Sequence, residues 1–368
     1  MIREEEFSRL EINLTACKEN YRYFRSKLND STKLLVLVKA NAYGHGAVEF
    51  ASLMEDAGAD YLAVAYPVEG IELRQGGIKS PIMVLTTGTD SFEEMINYGL
   101  EPGIPNLCTL KTLCKVLEKR EIRNFPIHIK LDTGMHRLGF APQDIPELIA
   151  RLKRQTSVIP RSVFSHLVGS DSIQFDTFTR KQIETFERAS EELQEAFPHK
   201  ILRHICNTAG IERYPGAQFD MVRLGLGLYG VDPFTNEILS NVSTLKTTIL
   251  QIRDVPQEDS VGYSRKGRLE RDSRIAAIPI GYADGLNRRL GNGNAYCLVN
   301  GKKAPYVGNI CMDVCMIDVT DIDCKEGDKV IVFGDDLPVT ILADVLGTIP
   351  YEILTSVSNR VKRVYFQD

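Results

Sequence analysis

LLVLVKANAYGHG, residues 34–46, is an apolar run that stops at a lysine and passes at once into small and polar residues. Five consecutive apolar residues read as a buried strand. Lys39 leaves its end, followed by Asn41, Tyr43, Gly44, His45 and Gly46. An ammonium at such a place is partly desolvated, which lowers its pKa and favours a free amine able to attack a carbonyl. By burial habit alone a strand-end lysine snorkels to solvent. Its meaning therefore rests on the chain around it.

Seven more strand-like runs follow: DYLAVAY (60–66), PIMVLTT (81–87), EPGI (101–104), IHIKLDT (127–133), SVFSHLV (162–168), LRHICN (202–207) and FDMVRLGLGLYG (219–230). Helix-like stretches lie between most of them, among them AVEFASLMEDAG, SFEEMINYG, LKTLCKVLEKRE and FTRKQIETFERASEELQEAF. Another, LTACKENYRYFRSKL, precedes the first strand. Eight short apolar strands alternating with helices are the pattern of a (β/α)8 barrel. A doubly wound open sheet is the alternative, but no GxGxxG follows the first strand.

After residue 236 the texture becomes β-rich, with one helix-like interruption at ILADVLG and a closing NRVKRVYF. The expectation is an α/β chain: a TIM-like barrel over 9–235, then a mainly β domain over 236–368, with residues 1–8 associating with the latter.

Composition is that of a soluble globular protein, 43% hydrophobic and 25% charged, with a net charge of −5. That mild acidity argues against nucleic acid as a partner. No apolar run approaches the ~20 residues that span a bilayer, and the start carries no signal-peptide core. A cytoplasmic chain without membrane contact of its own is expected; it could equally be the cytosolic domain of an anchored protein. Eight scattered cysteines include no CxxC and no zinc spacing, so reduced thiols and no metal are expected.

In a barrel, chemistry gathers where strands end. Here those ends carry Lys39, Lys130, Asp132, Arg137, Ser165, His166, Asn207, Thr208, Arg223, Gly225 and Gly227. A lysine facing a glycine-containing turn suits pyridoxal 5'-phosphate: the amine takes the aldehyde, and glycines let backbone N–H groups approach the phosphate.

VKANAYGHG, KLDTGMHRLG, HICNTAG, VRLGLGLYG, VGYSR, IPIGYADG and GNICMDVCMIDVT together resemble the segments of the alanine racemases, pyridoxal-phosphate enzymes with a barrel and a β domain. The match runs in order from about residue 9 to 365. The resemblance implies that Lys39 holds the cofactor covalently and acts as one catalytic base, with Tyr263 as the second. It implies that Tyr43, Thr208, Gly225 and Leu226 hold the phosphate, and that Arg223 faces the pyridine nitrogen. His166 would orient Arg223 and Tyr263. Arg137 and the Met312 backbone would bind the substrate carboxylate, and Tyr282 would line the approach. Lys130 stands at the position of a carbamylated lysine bracing that arginine. The family also implies a homodimer whose sites are shared, with Tyr263 and Met312 supplied by the partner.

The chain departs from the family at His136, usually a small residue, and at Asn359, usually a tyrosine that crowds the substrate. Asparagine is smaller and offers a donor and an acceptor. It is similar to the racemase domain of the membrane-linked serine racemases of vancomycin-resistance clusters. Serine as well as alanine is therefore expected as substrate, for cell-wall peptidoglycan precursors. A strict alanine racemase is one alternative, and a non-catalytic pyridoxal-phosphate-binding barrel is another. A decarboxylase would pair glutamate, not Arg223, with the ring nitrogen. A D-amino-acid sensor would not need Lys39 and Tyr263 together.

Overall fold

The computed structural model describes residues 8–368. Eight parallel strands form one sheet: Lys33–Leu37, Tyr61–Val64, Ile82–Val84, Glu101–Ile104, Phe125–Lys130, Val158–Phe164, Leu202–His204 and Met221–Leu224. The first strand lies between the second and the eighth, with Leu35 opposite Tyr61 on one side and Arg223 on the other. The remaining seam is joined by Asp220 N–H to Arg203 O at 3.1 Å and Arg223 N–H to Cys206 O at 3.0 Å. The sheet is thus a nearly closed barrel, not an open doubly wound sheet.

Period-two alternation decides what fills it. Leu35, Tyr61, Ala63, Met83, Phe164 and Met221 pack together as a core inside the barrel. The opposite strand faces join the helices in a second, continuous core. The helices Ala47–Asp56, Leu107–Lys119 and Asp176–Glu195 occupy the amphipathic stretches. Two more, Pro67–Gln75 and Ile145–Lys153, lie where no particular helix was singled out. The second carries a plain apolar stripe of Ile145, Leu148 and Leu152. The first buries only Gly70 and Leu73, so its sequence holds little periodic signal.

The second body is a nine-stranded sheet built from Gln251–Val255, Ser273–Ile278, Cys315–Asp318, Lys302–Val307, Tyr296–Val299, Lys329–Phe333, Ser243–Thr248, Arg9–Asn13 and Lys362–Phe366, in that spatial order. Arg9–Asn13 therefore belongs to this sheet, which corrects the start of the barrel at residue 9. RLEIN alternates, burying Leu10 and Ile12, and pairs parallel with the last strand, Arg9 opposite Lys362. Asn13 then caps the helix Leu14–Ser26 through its side-chain oxygen, so the chain enters the barrel one residue later. Residues 1–7 lie outside the described residues; Ser8 bonds Thr247 and Pro279 O of the sheet domain. After Val339–Leu346 comes a second helix, Pro350–Ser356, with proline at its first turn. Among the described residues no single helix is long and apolar enough to cross a membrane. All eight cysteines are free thiols.

Candidate active site

The first strand ends at Leu37, and Lys39 opens a turn of unusual hand. Ala40, Asn41, Ala42 and Tyr43 all have φ between 50° and 54°. Left-handed backbone costs an L-residue roughly 1–2 kcal/mol, so four in succession need outside support. Glu69 gives part of it, accepting from Ala40 N–H at 2.6 Å with one oxygen and from Ala65 and Tyr66 N–H with the other. Asn41 Oδ1 accepts from Ala47 N–H, and the buried His45 ring bonds Ala42 O and Tyr43 O through Nδ1. From the sheet domain, Arg363 donates to Gly44 O and Tyr365 to His45 O. Burial, together with the charge of Arg137, holds the Lys39 amine below its ordinary pKa, against the opposing charge of Glu69. That favours the nucleophilic free amine.

The turn delivers Tyr43 against the end of the last strand. A β-carbon built on Gly225 would lie 3.0 Å from the Tyr43 hydroxyl and 3.7 Å from Thr208 Oγ1. Thr208 in turn accepts from Gly225 N–H at 2.9 Å. Three elements thus converge on a small cradle of hydroxyls and backbone that only glycine leaves open. Leu226 opens the following 3-10 turn Leu226–Tyr229. Tyr43 stacks on Tyr229 at 4.5 Å, and burial raises its pKa, so its hydroxyl keeps a proton to donate. This chemistry fits a phosphate.

Arg223 projects inward from the eighth strand and is 3% exposed. Its Nη1 donates to His204 Nδ1 and His204 O; its Nη2 donates to Ser165 O and Ile205 O, with His166 Nδ1 at 3.5 Å. Both terminal nitrogens are committed to the protein, which leaves Nε–H for a ligand. Burial brings the guanidinium down to about 10, still a cation at neutral pH. Burial, followed by the charge of Arg223, presses His166 to about 3, so it is neutral. Lys130, the last residue of the fifth strand, is brought to about 8 by burial and by Arg137 and Arg223. Next, Asp132 accepts from the N–H groups of Gly134, Met135 and His136, shaping the turn that presents the exposed Arg137. His136 sits in that turn at φ 55°.

The sequence-derived site divides in two. Lys39, Tyr43, Lys130, Arg137, His166, Thr208, Arg223, Gly225 and Leu226 come together at the barrel end. Tyr263, Tyr282, Met312 and Asn359 lie on the sheet domain and are exposed, Tyr263 at 70% and Met312 at 53%. Tyr282 and Met312 are tied together, since Ala283 N–H bonds Met312 O and a β-carbon on Gly281 would fall 2.2 Å from it. Asn359 follows Ser358, whose N–H bonds Asp284 O at 3.1 Å. Sequence reasoning passed over Glu69, which grips the lysine turn, and His204, which holds Arg223. Glu69 sits three residues after Tyr66 and accepts from its N–H, but the segment lacks the Ser or Thr that would mark such a helix start in sequence.

A barrel with a cofactor-type lysine and a phosphate cradle, joined to a β domain, defines the class of barrel-fold pyridoxal-phosphate enzymes. The description "Alanine racemase, N-terminal domain" matches residues 12–233, and "Alanine racemase, C-terminal domain" matches 242–365. The chain belongs to the alanine racemase family. It is 38% identical to the alanine racemase of Clostridium kluyveri, over 97% of this chain and 93% of that one. It superposes on an alanine racemase of Clostridium difficile with a TM-score of 0.92 at 35% identity, over 98% of this chain and 96% of that one. The alanine racemase of Bartonella henselae, with covalently bound pyridoxal phosphate, gives 0.88 at 31%, over 98% and 99%.

Proposed function

We propose that the chain is a pyridoxal 5'-phosphate-dependent racemase that interconverts L- and D-alanine and, through Asn359, L- and D-serine. The observation that supports it most is the meeting of the depressed Lys39 amine, the Tyr43–Thr208–Gly225 cradle and the free Nε–H of Arg223 at one barrel end. When bound, the cofactor anchors the substrate's amino group and delocalises the electron pair left on the α-carbon.

This chain's residues do the rest. Lys39 takes or returns the α-proton on one face, and Tyr263 does so on the other, as inversion requires. Arg137 grips the carboxylate. Lys130, a free amine at mildly alkaline pH, is open to carbamylation, and its new negative charge braces Arg137. Arg223 would hold the cofactor's ring nitrogen through Nε–H and, because guanidinium keeps its proton, would leave that nitrogen unprotonated. The exposed Tyr263 and Met312 complete the site of a second copy in a head-to-tail homodimer. Mixing Lys39→Ala and Tyr263→Phe chains then restores about one intact site per heterodimer; no recovery despite subunit exchange excludes sharing.

Serine is the finer part of the proposal. Asn359 leaves room and an amide where the family's tyrosine crowds the substrate, and D-serine would serve modified cell-wall precursors such as those of vancomycin resistance. The relatives' names favour a strict alanine racemase as the second reading. Chiral chromatography on wild type and Asn359→Tyr decides between them. A serine-to-alanine ratio of kcat/KM that falls in the variant supports Asn359 as determinant; an unchanged ratio removes it.

A further inference from the structure

Arg223 is a fully buried cation whose protein partners are all neutral. Burying a charge without compensation costs several kcal/mol, so a counter-charge is needed somewhere. It lies at the far end of the barrel. His204 Nε2 is 2.9 Å from Ser162 Oγ; Ser162 Oγ is 2.6 Å from His128 Nδ1; His128 Nε2 is 2.9 Å from Glu101 Oε2. Glu101 is the first residue of its strand, so it sits at the barrel end opposite the one that Lys39 leaves. Ser162, His128 and His204 are wholly buried, and the Glu101 side chain is 13% exposed. Four adjacent strands carry this file across the barrel interior.

Its direction is fixed by bookkeeping. Arginine can only donate, so His204 Nδ1 must accept and its proton must lie on Nε2. That N–H is directed at Ser162, whose own proton is then free for His128 Nδ1. His128 accepts there and donates from Nε2 to the Glu101 carboxylate. A doubly protonated His128 would leave the Ser162 hydroxyl proton without an acceptor. Every dipole therefore points the same way, from the cation at the site to the anion at the barrel floor.

We propose that Glu101, acting through His128, Ser162 and His204, is the counter-charge and orienter of Arg223, and so a positioning residue for racemisation. This rests on the reading that Arg223 faces the cofactor ring. The relay moves no proton in the reaction. It holds Nη1 in place, beside the Ser165 and Ile205 carbonyls that hold Nη2, so that Nε–H alone is presented outward, and it stabilises the guanidinium as a cation. Glu101 is itself faced by Tyr61, whose hydroxyl is 3.4 Å away, and by the charges of Arg161 and Arg74. Burial alone would raise the Glu101 carboxyl, but His128, Arg161 and Tyr61 carry it below its ordinary value, so it is ionised at neutral pH.

Two near-isosteric variants test the relay, Glu101→Gln removing only the charge and Ser162→Ala cutting the file in the middle. The first measurement needs no cofactor: 15N spectra of the six histidines in the cofactor-free chain. The expectation is that His204 and His128 are both neutral with the proton on Nε2, and that Ser162→Ala shifts His128 Nδ1. In the loaded enzyme both variants should move the cofactor absorbance, displace the pH profile of kcat, and lower kcat about tenfold while KM for L-alanine stays within about twofold. Protons on Nδ1 of either histidine overturn the assignment. So do wild-type absorbance, pH profile and kcat in both variants. Absence of racemisation by the wild type would instead remove the enzymatic reading, and the tautomers would still decide the relay.

Discussion

Arg363, on the last strand of the sheet domain, donates from Nε to the carbonyl oxygen of Gly44 at 2.9 Å. Gly44 closes the left-handed turn that begins at Lys39. The other Arg363 nitrogens donate to Ser358 O, Val361 O and Val357 O. One side chain thus fastens the turn carrying Lys39 to the turn carrying Asn359. Burial lowers its pKa, yet it remains a cation. Removing it orphans several carbonyls at about 1–3 kcal/mol each where they stay buried. Arg363→Met should lower Tm by several degrees and weaken cofactor binding about tenfold, read by thermal melts and absorbance titration. Equal cofactor affinity in variant and wild type would show that the turn holds its shape unaided.

Gly225 and Gly227 of VRLGLGLYG should fail differently. A β-carbon on Gly225 meets the Tyr43 hydroxyl at 3.0 Å, Leu37 at 3.2 Å and Thr208 Oγ1 at 3.7 Å, within the hydroxyl-lined cradle. One on Gly227 would sit 2.3 Å from the Phe24 ring, which is fully buried. Gly225→Ala is expected to fold near-normally and bind cofactor at least tenfold more weakly. Gly227→Ala is expected to lose roughly 1–3 kcal/mol of stability through overpacking. Urea denaturation without cofactor separates them, because only the second should shift the midpoint.

Much of this was legible in the sequence, for identifiable reasons. Short, largely apolar segments that carry Lys39, Lys130 or Arg223 at or near their ends mark barrel strands, since a buried parallel strand needs apolar side chains on both faces. The polar residues that interrupt those segments form either the site, as Lys130 and Arg223 do, or the relay beneath it, as His128 and Ser162 do. The strand extents were overdrawn: the seventh ends at His204, and Asn207 instead caps the helix Thr208–Arg213. Arg9–Asn13 looked like part of the barrel because strand pairing over more than 200 residues leaves no local trace. The relay was missed for a related cause. Glu101, His128, Ser162 and His204 are far apart in sequence, and only the closed barrel places them side by side. The left-handed turn at Ala40–Tyr43 carries no signal either, because alanine and tyrosine rarely adopt it.

Lys130 makes an alkaline prediction. Its amine titrates near 8 in the folded chain against an ordinary 10.5. Between those values the unfolded chain binds the extra proton, so stability rises with pH across that window. Lys130→Met should flatten the rise, measured as the difference between variant and wild type in bicarbonate-free urea denaturation at several pH values. Added bicarbonate should stabilise wild type alone, and mass spectrometry under non-denaturing conditions should find carbon dioxide on Lys130. A bicarbonate effect that survives in Lys130→Met would place the reaction elsewhere.

His45 makes the acid counterpart. It is fully buried, with Nδ1 donating to Ala42 O and Tyr43 O, and burial carries it down to about 4 from an ordinary 6.5. At pH values between these, the unfolded chain holds a proton that the folded chain refuses. Stability is therefore lost as pH falls through that window and regained as it rises. His166 and His204 are depressed in the same direction, so the whole protein should be acid-sensitive from about pH 6.5 downward. His45→Asn keeps a donor near the two carbonyls but removes the titration. Its Tm should be lower than wild type at pH 7.5, because the Asn amide fills less of the space against Phe50 and Tyr229. The gap should narrow toward pH 5, since only the wild type still loses the His45 contribution. Parallel pH dependences in the two proteins would mean that His45 does not titrate in this range, and that the acid sensitivity belongs to the histidines around Arg223.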